Sequence, residues 1–178
     1  MRTLTLDTCV WIKLIDGADE ADAVGRLLDL HSQEAVEVVV SNRLYEHDTS
    51  KMDLAQITQL KSIFEERQIK IQGSGFRNCF SLLSGGDLLS GGPTIRTPAE
   101  MHKFNAIVGK DPIITHPQGP KLSNKFGDYD SLKDHYAVGR DVFITYDTKH
   151  YLSERFRDRY RSELGLIIMS PEHFLHSQ

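Results

Sequence analysis

Apolar positions along the chain fall into short runs typical of β-strands, separated by stretches in which they recur at helical spacing. Val36 to Val40 is nearly all valine, which predicts a strand buried on both faces. Four other short runs predict further strands: Thr3 to Leu6, Ile69 to Ile71, Val142 to Ile144 and Leu166 to Met169. Strands that alternate with helices in this way predict an α/β fold, with a parallel sheet covered by helices on both faces.

Several of the helices carry start signals as well as apolar spacing. Apolar residues at helical spacing between Leu54 and Phe64 predict a strongly amphipathic helix. The stretch Thr97-Pro98-Ala99-Glu100 forms a capping box with proline at the first helical position, so a helix is expected from there to about Ile107. Ser170-Pro171-Glu172 predicts an N-cap for the last helix in the same way.

The segment from about residue 73 to 127 differs in composition from the rest of the chain. Six of the 13 glycines lie between Gly73 and Gly92, and five of the six prolines lie between Pro93 and Pro120. Glycine and proline at this density are typical of loops, and a loop of this length is unusual in a compact domain. We therefore expect a single domain over residues 1–178, with 73–127 as an elaborated or partly disordered insertion.

Composition and charge exclude several classes of protein. Hydrophobic residues make up 39% of the 178 residues and charged residues 26%, which excludes disordered and low-complexity classes. The net charge of −4 argues against a non-specific duplex binder, but not against an enzyme that meets phosphates through a divalent cation. Two cysteines, no basic-then-apolar leader and no apolar run of about 20 residues predict a cytoplasmic domain without membrane contact.

Four acidic residues follow predicted strands or begin predicted helices. Asp7 comes directly after the first strand, and Asp147 comes shortly after the strand that ends at Thr145. Glu46 lies in a short helix predicted from about residue 42 to 48, and Asp128 is expected to open the helix before the Asp147 strand. Ligands collect at the carboxyl ends of parallel strands, so these acids converge if their strands are neighbours.

Carboxylates brought together in this way favour a bound cation. Without one they repel each other, and some become protonated. Hard oxygen ligands suit Mg²⁺ or Mn²⁺, and such an ion orients and deprotonates water for attack on a phosphodiester. The ion would also make an acidic pocket attractive to RNA despite the net charge of −4.

Each acid also has an ordinary structural explanation. Asp7 and Asp147 each precede a predicted helix and are suitable N-caps, and Asp128 suits a helix start. Glu46 on its own is typical of a solvated helix residue. The combined pattern of four acids favours the metal cluster over four separate structural roles.

Three stretches, taken in order, resemble the PIN-domain nucleases. They are Leu4-Thr5-Leu6-Asp7-Thr8-Cys9-Val10-Trp11-Ile12, Ser41-Asn42-Arg43-Leu44-Tyr45-Glu46, and the residues from Asp128 to Asp147. The resemblance implies a three-layer α/β/α sandwich and a Mg²⁺- or Mn²⁺-dependent ribonuclease that cleaves RNA. It also implies Asp7, Glu46, Asp128 and Asp147 as metal-binding carboxylates, with Ser41 and Thr145 as supporting polar residues.

The third acid of that set has competitors. Asp130 and Asp134 lie on the same predicted helix as Asp128. Asp128 shares a helix face with Leu132 and His135, whereas Asp130 lies about 200° away around the helix. We favour Asp128 and keep Asp130 as the alternative.

Weaker signals concern the partners. Arg155 and Arg159, one turn apart after Asp147, are candidate contacts for RNA backbone, although acids interspersed among them also suit a solvated face. Many PIN nucleases are toxins of toxin–antitoxin pairs, so a protein inhibitor is implied by resemblance, and a homodimer is compatible with it. The alternative function is a PIN-like module that binds RNA or protein without cutting.

Overall fold

The computed structural model describes residues 1–41, 44, 48–72, 96–108 and 122–178, and for 122–128 it describes the backbone. Within these residues five parallel strands form one sheet in the order β3-β2-β1-β4-β5. The strands are β1 (Arg2–Leu6), β2 (Val36–Ser41), β3 (Lys70–Gln72), β4 (Val142–Ile144) and β5 (Ile167–Met169). All five occur where the sequence predicts them, so the expected parallel α/β fold is confirmed.

Helices connect the strands and follow the last one. They are α1 (Thr8–Ile15), α2 (Ala21–Ser32), a 3-10 helix (Asp48–Lys51), α3 (Leu54–Glu66), α4 (Pro98–Val108), α5 (Leu122–Val138), α6 (Glu154–Leu164) and α7 (Pro171–His176). None of the described helices has the length and apolar character needed to cross a bilayer.

One face of the sheet is covered by α1, α2, α3 and α7. Alternate strand residues such as Leu4, Val38 and Ile144 point into this layer and are fully buried. Trp11 of α1 packs edge-on against Phe64 of α3, with ring centroids 5.0 Å apart. Because successive strand residues point to opposite faces, the sheet needs a second layer for the intervening positions.

The second layer consists of α4, α5 and α6. Phe143 of β4 points into it, and the rings of Phe104 and Tyr136 stack at 4.9 Å to join α4 to α5. The molecule is therefore a three-layer α/β/α sandwich, as expected. Helix α4 lies within the 73–127 segment, so the described part of that segment contributes buried residues to this layer.

The predicted helix signals are confirmed at both sites where the structure describes them. Thr97 N–H donates to Glu100 Oε2 at 2.8 Å and Glu100 N–H donates to Thr97 Oγ1 at 3.3 Å, the reciprocal pair of a capping box. Ser170 Oγ accepts from His173 N–H at the start of α7, with proline at the first helical position.

Two expectations about acidic residues are wrong. Helix α5 begins at Leu122, so Asp128 lies inside the helix and does not open it. Gly127 suggested a boundary, but a glycine inside a helix costs only about 1 kcal/mol and is tolerated. The N-cap of α6 is Ser153, so Asp147 does not cap that helix. Of the short helix predicted near 42–48, the structure describes Leu44, which is helical, and Asp48, which begins the 3-10 helix; the other residues lie outside the described ones.

The order in which the chain adds strands reverses at the middle of the sheet. From β1 the chain adds β2 and β3 on one side, and it then adds β4 and β5 on the other side. The reversal point lies between β1 and β4, where ligands of doubly wound sheets bind beyond the carboxyl ends of the strands.

Candidate functional site

Asp7 and Thr145 stand side by side at this reversal point. Leu6 and Ile144 are paired in the parallel register of β1 and β4, so the next residue on each strand lies at the carboxyl edge. Thr145 Oγ1 donates to Asp7 Oδ2 at 2.7 Å, and Asp7 N–H donates to Ile144 O at 2.9 Å. Asp7, which follows β1, is therefore in direct contact with Thr145, which follows β4.

The Asp7 carboxylate is buried and accepts several hydrogen bonds. Oδ1 accepts from Thr8 N–H at 2.8 Å, which makes Asp7 the N-cap of α1, and Oδ2 also accepts from Cys9 Sγ at 3.2 Å. Burial raises the pKa of Asp7 above its ordinary value, and the charge of Asp147 raises it further. The hydrogen bonds from Thr145, Cys9 and Thr8 each lower the pKa, but the net shift is upward.

Asp147 is linked to Asp7 through the Thr145 hydroxyl, which contacts both residues. Its N–H donates to Thr145 Oγ1 at 3.1 Å. Its Oδ1 accepts from Lys149 N–H at 3.1 Å and from His150 N–H at 3.0 Å, so the carboxylate closes a tight turn. The Asp147 side chain remains 30% exposed, so this carboxylate is the more accessible of the two.

Ser41 connects the edge of the sheet to α5. It ends β2, is buried, and its Oγ lies 3.5 Å from Ser131 Oγ. Further along α5, His135 Nδ1 lies 2.9 Å from Thr5 Oγ1 of β1, whose partner on β2 is Val39, two residues before Ser41. The helix therefore runs from the carboxyl edge towards the opposite edge of the sheet.

The direction of α5 decides how close each of the three candidate third acids lies to the carboxyl edge of the sheet. The Asp128 backbone lies about one turn before Ser131 in α5. Since Ser131 lies beside Ser41 at the end of β2, Asp128 lies on the side of the carboxyl edge of the sheet. Asp134 lies towards the other end, where its charge acts on Arg140. Asp130 is half-buried beside Tyr129, and its charge raises the pKa of that phenol, which burial raises more.

Glu46, the remaining predicted carboxylate, lies outside the described residues. An acid close to it in sequence is described, however, and was not among the predicted site residues. Asp48 Oδ2 accepts from Thr8 Oγ1 at 2.6 Å, next to Asp7. Asp48 follows the same strand as Glu46 in the sequence, which is the signal that places it near this edge of the sheet.

Tyr146, between Thr145 and Asp147, fixes the loop from the other side. Its hydroxyl donates to Glu172 Oε1 of α7 at 2.7 Å. Burial and this hydrogen bond raise the pKa of the phenol, which keeps it protonated as a donor. The site-bearing loop is therefore held both to β1 and to the last helix.

Burial keeps two nearby titratable residues, Cys9 and His135, in their uncharged forms. Burial raises the pKa of the Cys9 thiol, whose Sγ contacts Asp7 and accepts from Tyr146 N–H at 3.3 Å. Burial, with smaller contributions from the charges of Arg140 and Arg96, lowers the pKa of His135 to about 3. Cys9 is therefore a protonated thiol, and His135 is a neutral imidazole inside the second layer.

The two arginines predicted to contact RNA differ in their surroundings. Arg159 Nη2 donates to Ile107 O at the end of α4 at 3.0 Å, and its Nε donates to Glu163 Oε1 at 3.2 Å. Arg155 is exposed, with its guanidinium 5.5 Å from the centre of the Phe156 ring. Arg159 therefore joins two helices, and Arg155 is the more accessible of the pair.

The donor chemistry at this edge suits a hard cation. Asp7, Asp147 and Asp48 present carboxylate oxygens, which Mg²⁺ and Mn²⁺ prefer over softer ligands. Among the side chains that the structure describes, no group of three His, Cys, Asp or Glu residues forms a metal centre. Two of the four predicted ligands, Glu46 and Asp128, fall outside those side chains.

Comparison with known proteins adds no family assignment. No protein-family model matches the chain, and no curated protein does.

Proposed function

We propose that the protein is a divalent-metal-dependent endoribonuclease of the PIN-domain type. Asp7, Glu46, Asp128 and Asp147 are its proposed metal-binding carboxylates. The observation that carries the proposal is the hydroxyl of Thr145, which donates to the Asp7 carboxylate and accepts from the Asp147 backbone at the reversal point of the sheet. Carboxylates at this position of a doubly wound sheet are placed where such folds bind ligands.

The electrostatics of Asp7 support a cation at this edge. A carboxylate whose pKa is raised by burial and by a neighbouring aspartate carries charge at a free-energy cost, which a bound cation reverses. Each carboxylate oxygen can accept more than one bond, so the hydrogen bonds that Asp7 accepts leave capacity for a metal. When bound, Mg²⁺ or Mn²⁺ supplies an activated water and stabilises charge on the phosphodiester.

Residues of the protein itself are proposed to position the site and to bind the substrate. Asp7, rigid and buried, fixes the position of the site, while the more exposed Asp147 faces the approach of the substrate. Thr145 holds the Asp7 carboxylate and the backbone of Asp147 in place, and Ser41 at the end of β2 lies against Ser131 on the helix that carries Asp128. Arg155, exposed on the first turn of α6, is the proposed contact for RNA phosphate.

Cleavage of RNA tests this proposal directly. Wild type is expected to cut single-stranded or structured RNA in Mn²⁺ and to lose activity in chelator. Asp7→Asn is expected to reduce cleavage by at least about 100-fold, since it removes one metal ligand and its charge. Asp22→Asn, which changes an exposed acid on α2, is the matched control and is expected to cut like wild type.

Equal cleavage by wild type and Asp7→Asn would contradict the proposal, as would no cleavage by wild type across a panel of RNAs. The inhibitor protein implied by the resemblance belongs to the same proposal, as does a toxin role. An inhibitor that acts at this site would compete with RNA for binding to the wild-type protein.

A second candidate, a non-catalytic PIN-like binding module, is favoured by one observation. Asp7 is the N-cap of α1 and both of its oxygens accept hydrogen bonds, so a structural role accounts for its position. Calorimetry with Mn²⁺ separates the two functions. No detectable Mn²⁺ binding by wild type, together with retained RNA binding, would support the module.

A further inference from the structure

Strand β5 forms an edge of the sheet beside a groove. It is the last strand in the order and, among the residues that the structure describes, it pairs with β4 on one side. The groove has a volume of about 280 Å³ and lies between β5, α6 and α7. An edge strand presents backbone N–H and C=O groups that a further strand can pair with.

The two faces of this edge differ in character. Leu166 and Ile168 point into the second layer, so the intervening Ile167 points to the opposite face, where it remains 37% exposed. On the second-layer side, α6 places Arg157 and Arg161 along the groove, one turn apart. The edge is thus apolar on one face and cationic on the other.

The charge in the groove is positive although the chain as a whole is negative. Two arginines face one aspartate, Asp158, which lies 3.4 Å from Arg157 Nε and is itself 69% exposed. Against a net charge of −4, this local excess of cations favours an acidic partner.

We propose that the β5 edge binds an extended acidic segment of a partner protein, which adds to the sheet as a further strand. Because side chains alternate along a strand, acidic residues of the segment would face Arg157 and Arg161 while the residues between them pack against Ile167. The sequence class that fits is therefore a short run in which acidic and apolar residues alternate.

A protein segment fits this edge better than RNA does. Apart from the imidazole of His173, the described lining residues offer no aromatic ring on which a base could stack. A peptide strand satisfies the backbone groups of β5, and a nucleotide chain does not. The proposal does not depend on the ribonuclease function, since the groove contains none of the proposed metal ligands.

Binding of a synthetic probe to the full chain tests the proposal. The probe is a short fluorescent peptide in which Glu and Val alternate, measured by anisotropy in chelator so that metal plays no part. We expect saturable binding by wild type, and at least about tenfold weaker binding by Arg157→Glu/Arg161→Glu, because like charges then face each other. Ile167→Asp is expected to weaken binding of the peptide, because it places a charge on the apolar face of the edge.

Two controls make the result specific. Arg155→Glu makes the same type of charge change on the same helix, but Arg155 is not among the groove residues, so it is expected to bind the peptide like wild type. A peptide in which Lys replaces Glu is expected not to bind. Circular dichroism and melting curves confirm that each variant is folded.

Three outcomes would overturn the proposal. They are no binding of the Glu–Val peptide by wild type, equal loss of binding in Arg155→Glu and in the groove variants, and displacement of the peptide by an RNA oligonucleotide that itself requires Arg157 and Arg161. The last result would assign the groove to RNA.

Discussion

The hydroxyl of Thr145 donates to the Asp7 carboxylate at 2.7 Å, joining residues that are 138 positions apart in the chain. The same oxygen accepts the N–H of Asp147 at 3.1 Å. One side chain therefore organises the loop after β4 around the end of β1, and the proposed metal site depends on this arrangement.

Removing this hydroxyl should destabilise the protein. Thr145→Val keeps the shape of the side chain, but it leaves a buried carboxylate oxygen without one donor and the Asp147 N–H without its acceptor. We expect the free energy of unfolding to fall by about 1–3 kcal/mol, measured by urea unfolding.

The matched control for that experiment is Thr58→Val. The Thr58 hydroxyl donates to Leu54 O at 2.7 Å on the exposed surface of α3. Its loss should change stability by no more than about 0.5 kcal/mol. Equal effects of the two substitutions would show that the Thr145 contacts contribute no more than a surface bond.

The third metal ligand can be identified by three parallel substitutions on α5. Asp128→Asn should abolish Mn²⁺-dependent cleavage, because its backbone lies nearest the carboxyl edge of the sheet. Asp134→Asn should retain cleavage, because Asp134 lies towards Arg140 at the other end. Asp130→Asn should also retain it, since position 130 lies about 200° around the helix from 128. Loss of cleavage in Asp130→Asn alone would assign the role to Asp130.

His135 should make the protein sensitive to acid. Its pKa is lowered to about 3 in the folded state from an ordinary 6.5, chiefly by burial, so only the unfolded chain takes up a proton between these values. Stability is therefore full above about pH 6.5 and is lost as the pH falls towards 3, by up to about 1.4 kcal/mol per pH unit.

Unfolding free energies measured across this pH range test the assignment. His135→Asn, which retains a polar atom to meet Thr5 Oγ1, should lower stability at every pH but remove this part of the slope. Leu132→Val, another buried change on α5, should lower stability and keep the wild-type slope. If the unfolding free energy of His135→Asn falls with decreasing pH as steeply as that of wild type, His135 is excluded as the source of the acid sensitivity.

The two arginines on α6 should respond differently to truncation. Arg159→Ala removes the donor to Ile107 O, a carbonyl in the last turn of α4, and should cost about 1 kcal/mol of stability. Arg155→Ala should change stability by no more than about 0.5 kcal/mol but raise the KM for RNA. Urea unfolding and cleavage kinetics on both variants separate these effects, and the reverse pattern would contradict the assignment.

The strands and their common edge could be predicted because the pattern that specifies them is local. The valines of β2 and the short runs of the other strands mark buried parallel strands, and the position of Asp7 follows from where β1 ends. The pairing of β1 with β4 is not local, and the sequence left it as a condition for the acids to converge; the structure meets that condition.

Contacts that depend on tertiary packing could not be predicted in the same way. The start of α5 was misplaced because Gly127 resembles a boundary, and its backbone cost is too small to decide against a helix that tertiary packing stabilises. The alternative role of Asp147 as an N-cap of α6 is also wrong, because Asp147 closes a turn six residues before Ser153, the N-cap of that helix. The Thr8–Asp48 contact joins the first residue of α1 to the first residue of the 3-10 helix, and the spacing of residues along the chain does not reveal it.

The most direct test of the central claim is the anomalous signal of a crystal soaked in Mn²⁺, because it locates the ion without assumptions about ligands. We expect a single strong peak at the carboxyl edge between β1 and β4, in contact with oxygens of Asp7 and Asp147, and no peak there in Asp7→Asn. Manganese bound elsewhere, with this edge vacant in the wild-type crystal, would contradict the proposed metal site.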